Sequence, residues 1–110
     1  MAQIPEKVER TILDFVSEIQ KNITVNKIIL FGSYARGDFD TLSDVDLAVF
    51  SKDFRGKKTV EATTFLLSKT RKYREVCLEP IGFDDTDLIK DNPFVKEILA
   101  SGKEIISDSE

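Results

Sequence analysis

Two aspartates one residue apart, Asp44 and Asp46, follow a Gly-Ser pair, Gly32-Ser33, with ten residues between Ser33 and Asp44. On a strand, residues i and i+2 share a face with their backbones roughly 6.5–7 Å apart, so the two carboxylates can converge on one cation. Two like charges in a half-buried sheet repel and raise one pKa unless a cation neutralises them. The alternative is that both aspartates sit at an exposed strand start, and an Asp-x-Asp triplet alone does not decide. Gly32 has no Cβ, which lets a phosphate come close to the backbone. A following helix would present N–H groups to it, and Ser33 could add a hydroxyl donor. The competing reading is an ordinary serine cap after a glycine turn. Taken together, an anion cradle beside a carboxylate pair is what a metal–nucleotide site needs.

Composition narrows the chemistry. The 110 residues suffice for one domain with one core, so residues 1–110 are read as a single domain. There is no histidine, which removes His-based triads, HExxH zinc sites and His general bases. The single cysteine, Cys77, can form no internal disulfide. It lies among apolar residues and is read as core. Any metal would then be held by oxygen, which points to magnesium or manganese. The formal net charge of −4 argues against a non-specific nucleic-acid binder, which needs a basic field. Lys and Arg concentrate in 52–74, which is read as the solvated side of an amphipathic helix rather than a patch for phosphates or an acidic partner. No apolar run reaches the roughly 20 residues of a membrane span. The segment MAQIPEKVER has no apolar signal region, so a cytoplasmic location is the expectation.

The elements that must position the pair can be read from periodicity. Residues 6–21 place Val8, Ile12, Phe15, Val16 and Ile19 at helical spacing, with Pro5 in the first turn and Asn22 as C-cap. Lys27–Phe31 reads as a buried strand, Tyr34–Arg36 as a helical turn stopped by Gly37, and 38–43 as a polar loop. Asp44–Phe50 alternates, with Asp44, Asp46, Ala48 and Phe50 on one face and Val45, Leu47 and Val49 on the other. After a charged loop, Thr59–Tyr73 reads as a helix with Val60, Thr63, Thr64, Leu66, Leu67 and Thr70 on its apolar side. Glu75–Phe83 reads as a strand whose Pro80 marks an edge position. An acidic turn over 84–91 leads to a helix over 93–100 with Phe94, Ile98 and Leu99 inward, closed by Gly102. Residues 104–106 can add a last short strand before a frayed acidic tail, SDSE. The expected class is α/β (α+β), a small mixed sheet of three to four strands flanked by helices.

With these residues in place, the chain resembles a known family. Gly-Ser, ten residues, then Asp-x-Asp between apolar strands is similar to the polymerase beta-like nucleotidyltransferases. The fuller string GSYARGD…SDVDLAVF resembles their minimal nucleotidyltransferase (MNT) branch over nearly the whole chain. The RGD tripeptide at 36–38 belongs to that pattern and is not read as an adhesion signal. The resemblance implies a third carboxylate on a later strand. Glu79 fits that place, although Pro80 stands where the pattern expects an apolar neighbour; Glu75 is the rival, and a solvated edge residue is the alternative for Glu79. It further implies that Asp44, Asp46 and Glu79 bind one or two divalent cations, magnesium or manganese. Glu79 would share a metal or act as general base, and Gly32 and Ser33 would hold the distal phosphates of ATP. Arg36 would touch phosphate or pair with Asp38 or Asp44. Ser43 would orient Asp44 or cap the loop.

Stand-alone MNT domains of this kind resemble the antitoxin half of HEPN/MNT toxin–antitoxin pairs. That resemblance implies a helical HEPN toxin as partner and transfer of AMP from ATP to one of its hydroxyls. The second reading is a binding module that neutralises its partner by complex formation alone. A third is nucleotidyl transfer to a small hydroxylated compound. Nucleic acid and membrane are not expected partners, and a homo-oligomer is compatible with all three.

Overall fold

The computed structural model describes residues 4–40 and 43–107; loop positions 41 and 42 and the acidic tail at 108–110 lie outside the described residues. Helix α1 (Glu6–Gln20) buries Val8, Ile12, Phe15, Val16 and Ile19, the stripe the spacing predicts. Pro5 stands just before the helix as its N-cap rather than in its first turn, and the C-cap is Lys21 instead of Asn22. Strand β1 (Lys27–Phe31) runs into a single helical turn, α2 (Ser33–Arg36), which ends at a left-handed Gly37. Strand β2 (Val45–Phe50) is followed by a 3-10 turn, helix α3 (Thr59–Ser68) and strand β3 (Leu78–Phe83). A second 3-10 turn at Asp85–Leu88, helix α4 (Pro93–Ser101) and strand β4 (Lys103–Ser107) complete the order.

The four strands form one mixed sheet in the order β3-β2-β1-β4. β1 is antiparallel to both β2 and β4, while β2 and β3 are parallel. A parallel pair needs a crossover, and α3 supplies it. One face of the sheet, with Leu30, Val45 and Leu47, packs on α1 and α3 through Ile12, Phe15, Ile19 and Leu66. The other face, with Ile29, Ala48 and Phe50, packs on α4 through Val95 and Ile98. There the Phe50 and Phe83 rings stack at 5.2 Å, and Phe94 meets Phe31 edge-on at 6.0 Å. β2 is therefore clamped from both sides, and Val45, Leu47, Val49 and Phe50, all fully buried, each contribute on the order of 1.5–3 kcal/mol.

Pro80 lies in the edge strand, as its chemistry requires. Val45 N–H donates to Cys77 O and Ser51 N–H to Phe83 O, so the odd-numbered residues of β3 face the ladder. Position 80 points its nitrogen outward, where no ladder partner is lost. The outward N–H of Gly82 donates to Thr63 Oγ1 at 3.0 Å, which ties α3 to this edge.

Four more expectations are corrected. α3 ends at Ser68 rather than Tyr73, because Ser68 and Thr70 hydroxyls donate to the carbonyls of Phe65 and Leu67 and compete with the helical ladder. Its buried residues are Ala62 and Leu66, while Val60 is 67% exposed and Leu67 is exposed. The reason is close packing: a Cβ on Gly82 would lie 2.6 Å from Ala62 Cβ, so the helix turns its smallest residue to the strand. On α4 the buried pair is Val95 and Ile98; Phe94 is 48% exposed and Leu99 also lies outward. β3 starts at Leu78, not Glu75. Overpacking this helix–strand contact should be felt directly. Gly82→Val is expected to lower stability by about 1–3 kcal/mol, measured as a reduced urea midpoint, with Gly82→Ala in between.

Candidate active site

The sheet register assembles one line of residues at one end of the sheet. Phe31, the last residue of β1, pairs with Asp46 on β2, and Asp46 pairs with Glu79 on β3. Gly32 follows Phe31 directly. Its backbone, φ 75° and ψ −152°, lies in a region essentially reserved for glycine. A Cβ at this position would overlap Asp46 Oδ2 and lie 3.2 Å from Asp46 Cγ. The carboxylate of Asp46 thus rests against bare backbone, and any other residue at position 32 would push it away. The α2 turn is closed by Ala35 and Arg36 N–H groups donating to Gly32 O at 3.1 and 3.0 Å.

Asp44 precedes β2 by one residue and is exposed; Asp46 is half-buried on the same face. Glu79 is exposed on β3. Burial pushes the Asp46 carboxyl above its usual value, and the negative Asp44 and Glu79 add to the effect while Arg36 opposes it. Three carboxyl groups on one face, one of them held back from ionising, form a place that a divalent cation fits.

The remaining predicted residues fall around this line. Arg36 makes an ion pair with Asp38 at 3.2 Å. The Ser43 hydroxyl accepts from Asp40 N–H at 2.9 Å and so closes the loop. Glu75 lies outside the strand and pairs with Lys7 across to α1, whereas Glu79 shares the register of Asp46. Two cavities flank the line. One, of about 330 Å³, lies between α2 and α4 and is bordered by Phe31, Gly32, Arg36 and Phe94. The other, of about 670 Å³, lies beyond Cys77 and Ser43 and is walled by Val8, Tyr34 and Val76.

Cys77 corrects the sequence expectation. It is exposed, not core. Val76 and Leu78 on either side are buried, so alternation turns Cys77 to the face that carries Glu79, two residues on. One ligand atom each from Asp44, Cys77 and Glu79 lie within 4.8 Å of one another. The thiol is held above its usual pKa, first by its hydrogen bond to Asp44, then by burial and by the charge of Asp44, Glu79 and Asp46. Its i, i+2 spacing from Glu79 was the available signal; the apolar neighbours obscured it.

A four-stranded mixed sheet with a Gly-Ser turn and acidic groups along its end is the fold of the polymerase beta type of nucleotidyltransferase. The chain belongs to that family: the family described as "Polymerase beta, Nucleotidyltransferase" matches residues 14–110. A protein of Methanocaldococcus jannaschii, provisionally named a protein adenylyltransferase, is 31% identical over 100 residues, which cover 86% of this chain and 98% of that one. A second protein of that organism with the same provisional name is 44% identical over 43 residues, 37% of this chain and 43% of that one. Among solved structures, a toxin–antitoxin with AMP-PNP matches 92% of this chain and 74% of its own at TM-score 0.62 and 21% identity. A nucleotidyltransferase, also provisionally named, from Sulfolobus solfataricus matches 74% of this chain and 70% of its own at TM-score 0.60 and 20% identity. At such identities the structural likeness speaks for the fold. Among the described residues, no helix is long and apolar enough to cross a membrane.

The raised Asp46 pKa has a consequence for stability. The unfolded chain ionises this group more readily, so its charge disfavours folding at neutral pH. Asp46→Asn is expected to unfold at a higher temperature than the parent at pH 7. The advantage should shrink as pH falls through the raised value and vanish below the ordinary 3.8, where the group is protonated in both states. Thermal unfolding of both proteins across that range checks the sign.

Proposed function

We propose that this chain is a metal-dependent protein adenylyltransferase that moves AMP from ATP to a hydroxyl of a partner, the HEPN-type toxin of a toxin–antitoxin pair. The observation that carries the reading is the line Gly32–Asp46–Glu79, with Asp44 beside it, in a chain of this family. The name of the Methanocaldococcus relative supports protein as acceptor, and the toxin–antitoxin neighbour supports the partner class.

In this reading Asp44, Asp46 and Glu79 would hold a divalent cation, magnesium or manganese. Bound there, such a cation would screen the triphosphate and make its α-phosphorus more electrophilic. Gly32 lets the distal phosphates reach the backbone, with Ser33 and Arg36 as nearby donors. Glu79, at the far end of the line, accepts the proton of the incoming hydroxyl. The acceptor oxygen bonds to the α-phosphorus, the bond to the bridging oxygen breaks, and pyrophosphate leaves toward the glycine turn. The cavity of about 670 Å³ gives the acceptor segment a way in from the side of Ser43 and Cys77. Ser43 shapes that entrance through its bond to Asp40.

Intact-mass analysis of a co-expressed HEPN partner tests this. The partner should gain the mass of one AMP, and none when Asp44 and Asp46 are both asparagine. Chelation should stop transfer and magnesium or manganese restore it. Glu79→Gln is expected to lower kcat at least about a hundredfold, while Glu75→Gln leaves it near the parent value. A partner that is neutralised but never modified would mean a binding module and overturn the reading.

A further inference from the structure

We propose that helix α4 reads the base of the nucleotide: the Phe94 ring stacks on it, and the Glu97 carboxylate selects a base that carries an exocyclic amino group. The inference deepens the reading above and rests on it only in that a nucleoside triphosphate binds beside Gly32. Phe94, Glu97, Ile98 and Ser101 stand at i, i+3, i+4 and i+7, so they share one face of α4. That face forms one wall of the cavity of about 330 Å³, and Gly32 and Arg36 border it from the side of α2. A volume at the small end of ligand sites suits one end of a nucleotide rather than the whole. Groups suited to phosphate on one side and an aromatic ring on the other match the two chemical halves of such a ligand.

The α4 wall fits the base and not the phosphates. Phe94 is 48% exposed. Its ring meets Phe31 edge-on, at 88°, and is tilted to Phe83 by 50°. Neither neighbour is parallel to it, so among the described residues no ring stacks on it. The two contacts hold the ring while part of it stays open to a planar guest, and stacking of this kind accepts any base. Selectivity has to come from a polar group. The Glu97 carboxylate has no ion pair or hydrogen bond among the described residues, and the neighbouring Lys96 is paired with Asp91. An ionised carboxylate repels phosphate and only accepts hydrogen bonds. It can accept one from the exocyclic amino group of adenine, a group that unsubstituted purine lacks.

Calorimetric titration of the full chain with ATP, purine riboside triphosphate and inorganic tripolyphosphate, each with magnesium, tests this. The parent should bind ATP about tenfold more tightly than the purine analogue. Phe94→Ala should weaken both nucleotides about tenfold and keep their ratio, while Phe94→Tyr binds as the parent does. Glu97→Ala should bring the ratio close to one. Tripolyphosphate carries no base and should bind equally to the parent and to all three variants, whose folding is checked by circular dichroism. ATP affinity indifferent to Phe94→Ala would mean that this ring serves something other than the base, such as a protein partner, and would overturn the proposal. So would tripolyphosphate binding lost together with ATP, a parent that does not distinguish ATP from its purine analogue, or a ratio unchanged by Glu97→Ala. AMP transfer to the partner with such indifferent affinities overturns this inference alone. Base-selective binding without transfer supports it and removes the enzymatic reading.

Discussion

The contact between the Asp46 carboxylate and the bare backbone of Gly32 is the constraint on which this structure turns. It requires a backbone conformation that only glycine adopts easily, immediately after a strand. It also requires β1 and β2 to meet in one register, because a slip of a single residue would carry Asp46 to the α1 face. That register is secured by apolar packing on both faces of β2. Leu47 and Val49 are locked under α1 and α3, and Ala48 and Phe50 under α4. The core thus does more than hold the chain together. It fixes the angle at which a charge meets a glycine.

Such an arrangement works against stability. Asp46 is partly withdrawn from water and faces two other carboxyl groups, and Arg36 offsets this only in part because it is also paired with Asp38. A fold selected for stability alone would place a neutral residue there. Retaining the carboxylate makes sense where a cation completes the site, and the doubly buried β2 offsets the cost from elsewhere in the sheet. Backbone strain at Gly32 and like-charge repulsion at Asp46 are thus concentrated at one end of the sheet, as they are at sites built to bind.

How much of this could be read from the residues varied with the physics. α1 was legible to its last buried side chain, because a long amphipathic period has one solution. The Asp44/Asp46 pair and the Gly32 turn were legible because strand alternation and the absence of a Cβ are local properties. The inward faces of α3 and α4 were not. Val60, Leu67, Phe94 and Leu99 are apolar, yet their orientation is set by how closely each helix approaches the sheet, as the Gly82–Ala62 contact shows. Cys77 was misplaced for a related reason. Apolar neighbours made it look like core, but those neighbours occupy the inward positions and leave it outward. Nor could the residues alone pair Glu79 with Asp46, since register between β2 and β3 depends on the length and seating of the crossover helix.

The position of β3 at the sheet edge then acquires a chemical meaning. An edge strand leaves one side open, and Pro80 blunts that side by removing a backbone donor where none is needed. Glu79 is flanked by Leu78 and Pro80, both turned inward, so its carboxylate is presented outward at the border between sheet and solvent. The glycine turn lies at the opposite end of the line, one strand beyond Asp46. A transferase must bring two substrates to one phosphorus from opposite directions. Under the function proposed above, the glycine turn on the β1 side would take the phosphates and the open edge on the β3 side would admit the incoming hydroxyl. Proline at position 80, which departs from the expected apolar pattern, therefore preserves the carboxylate's placement rather than disrupting it.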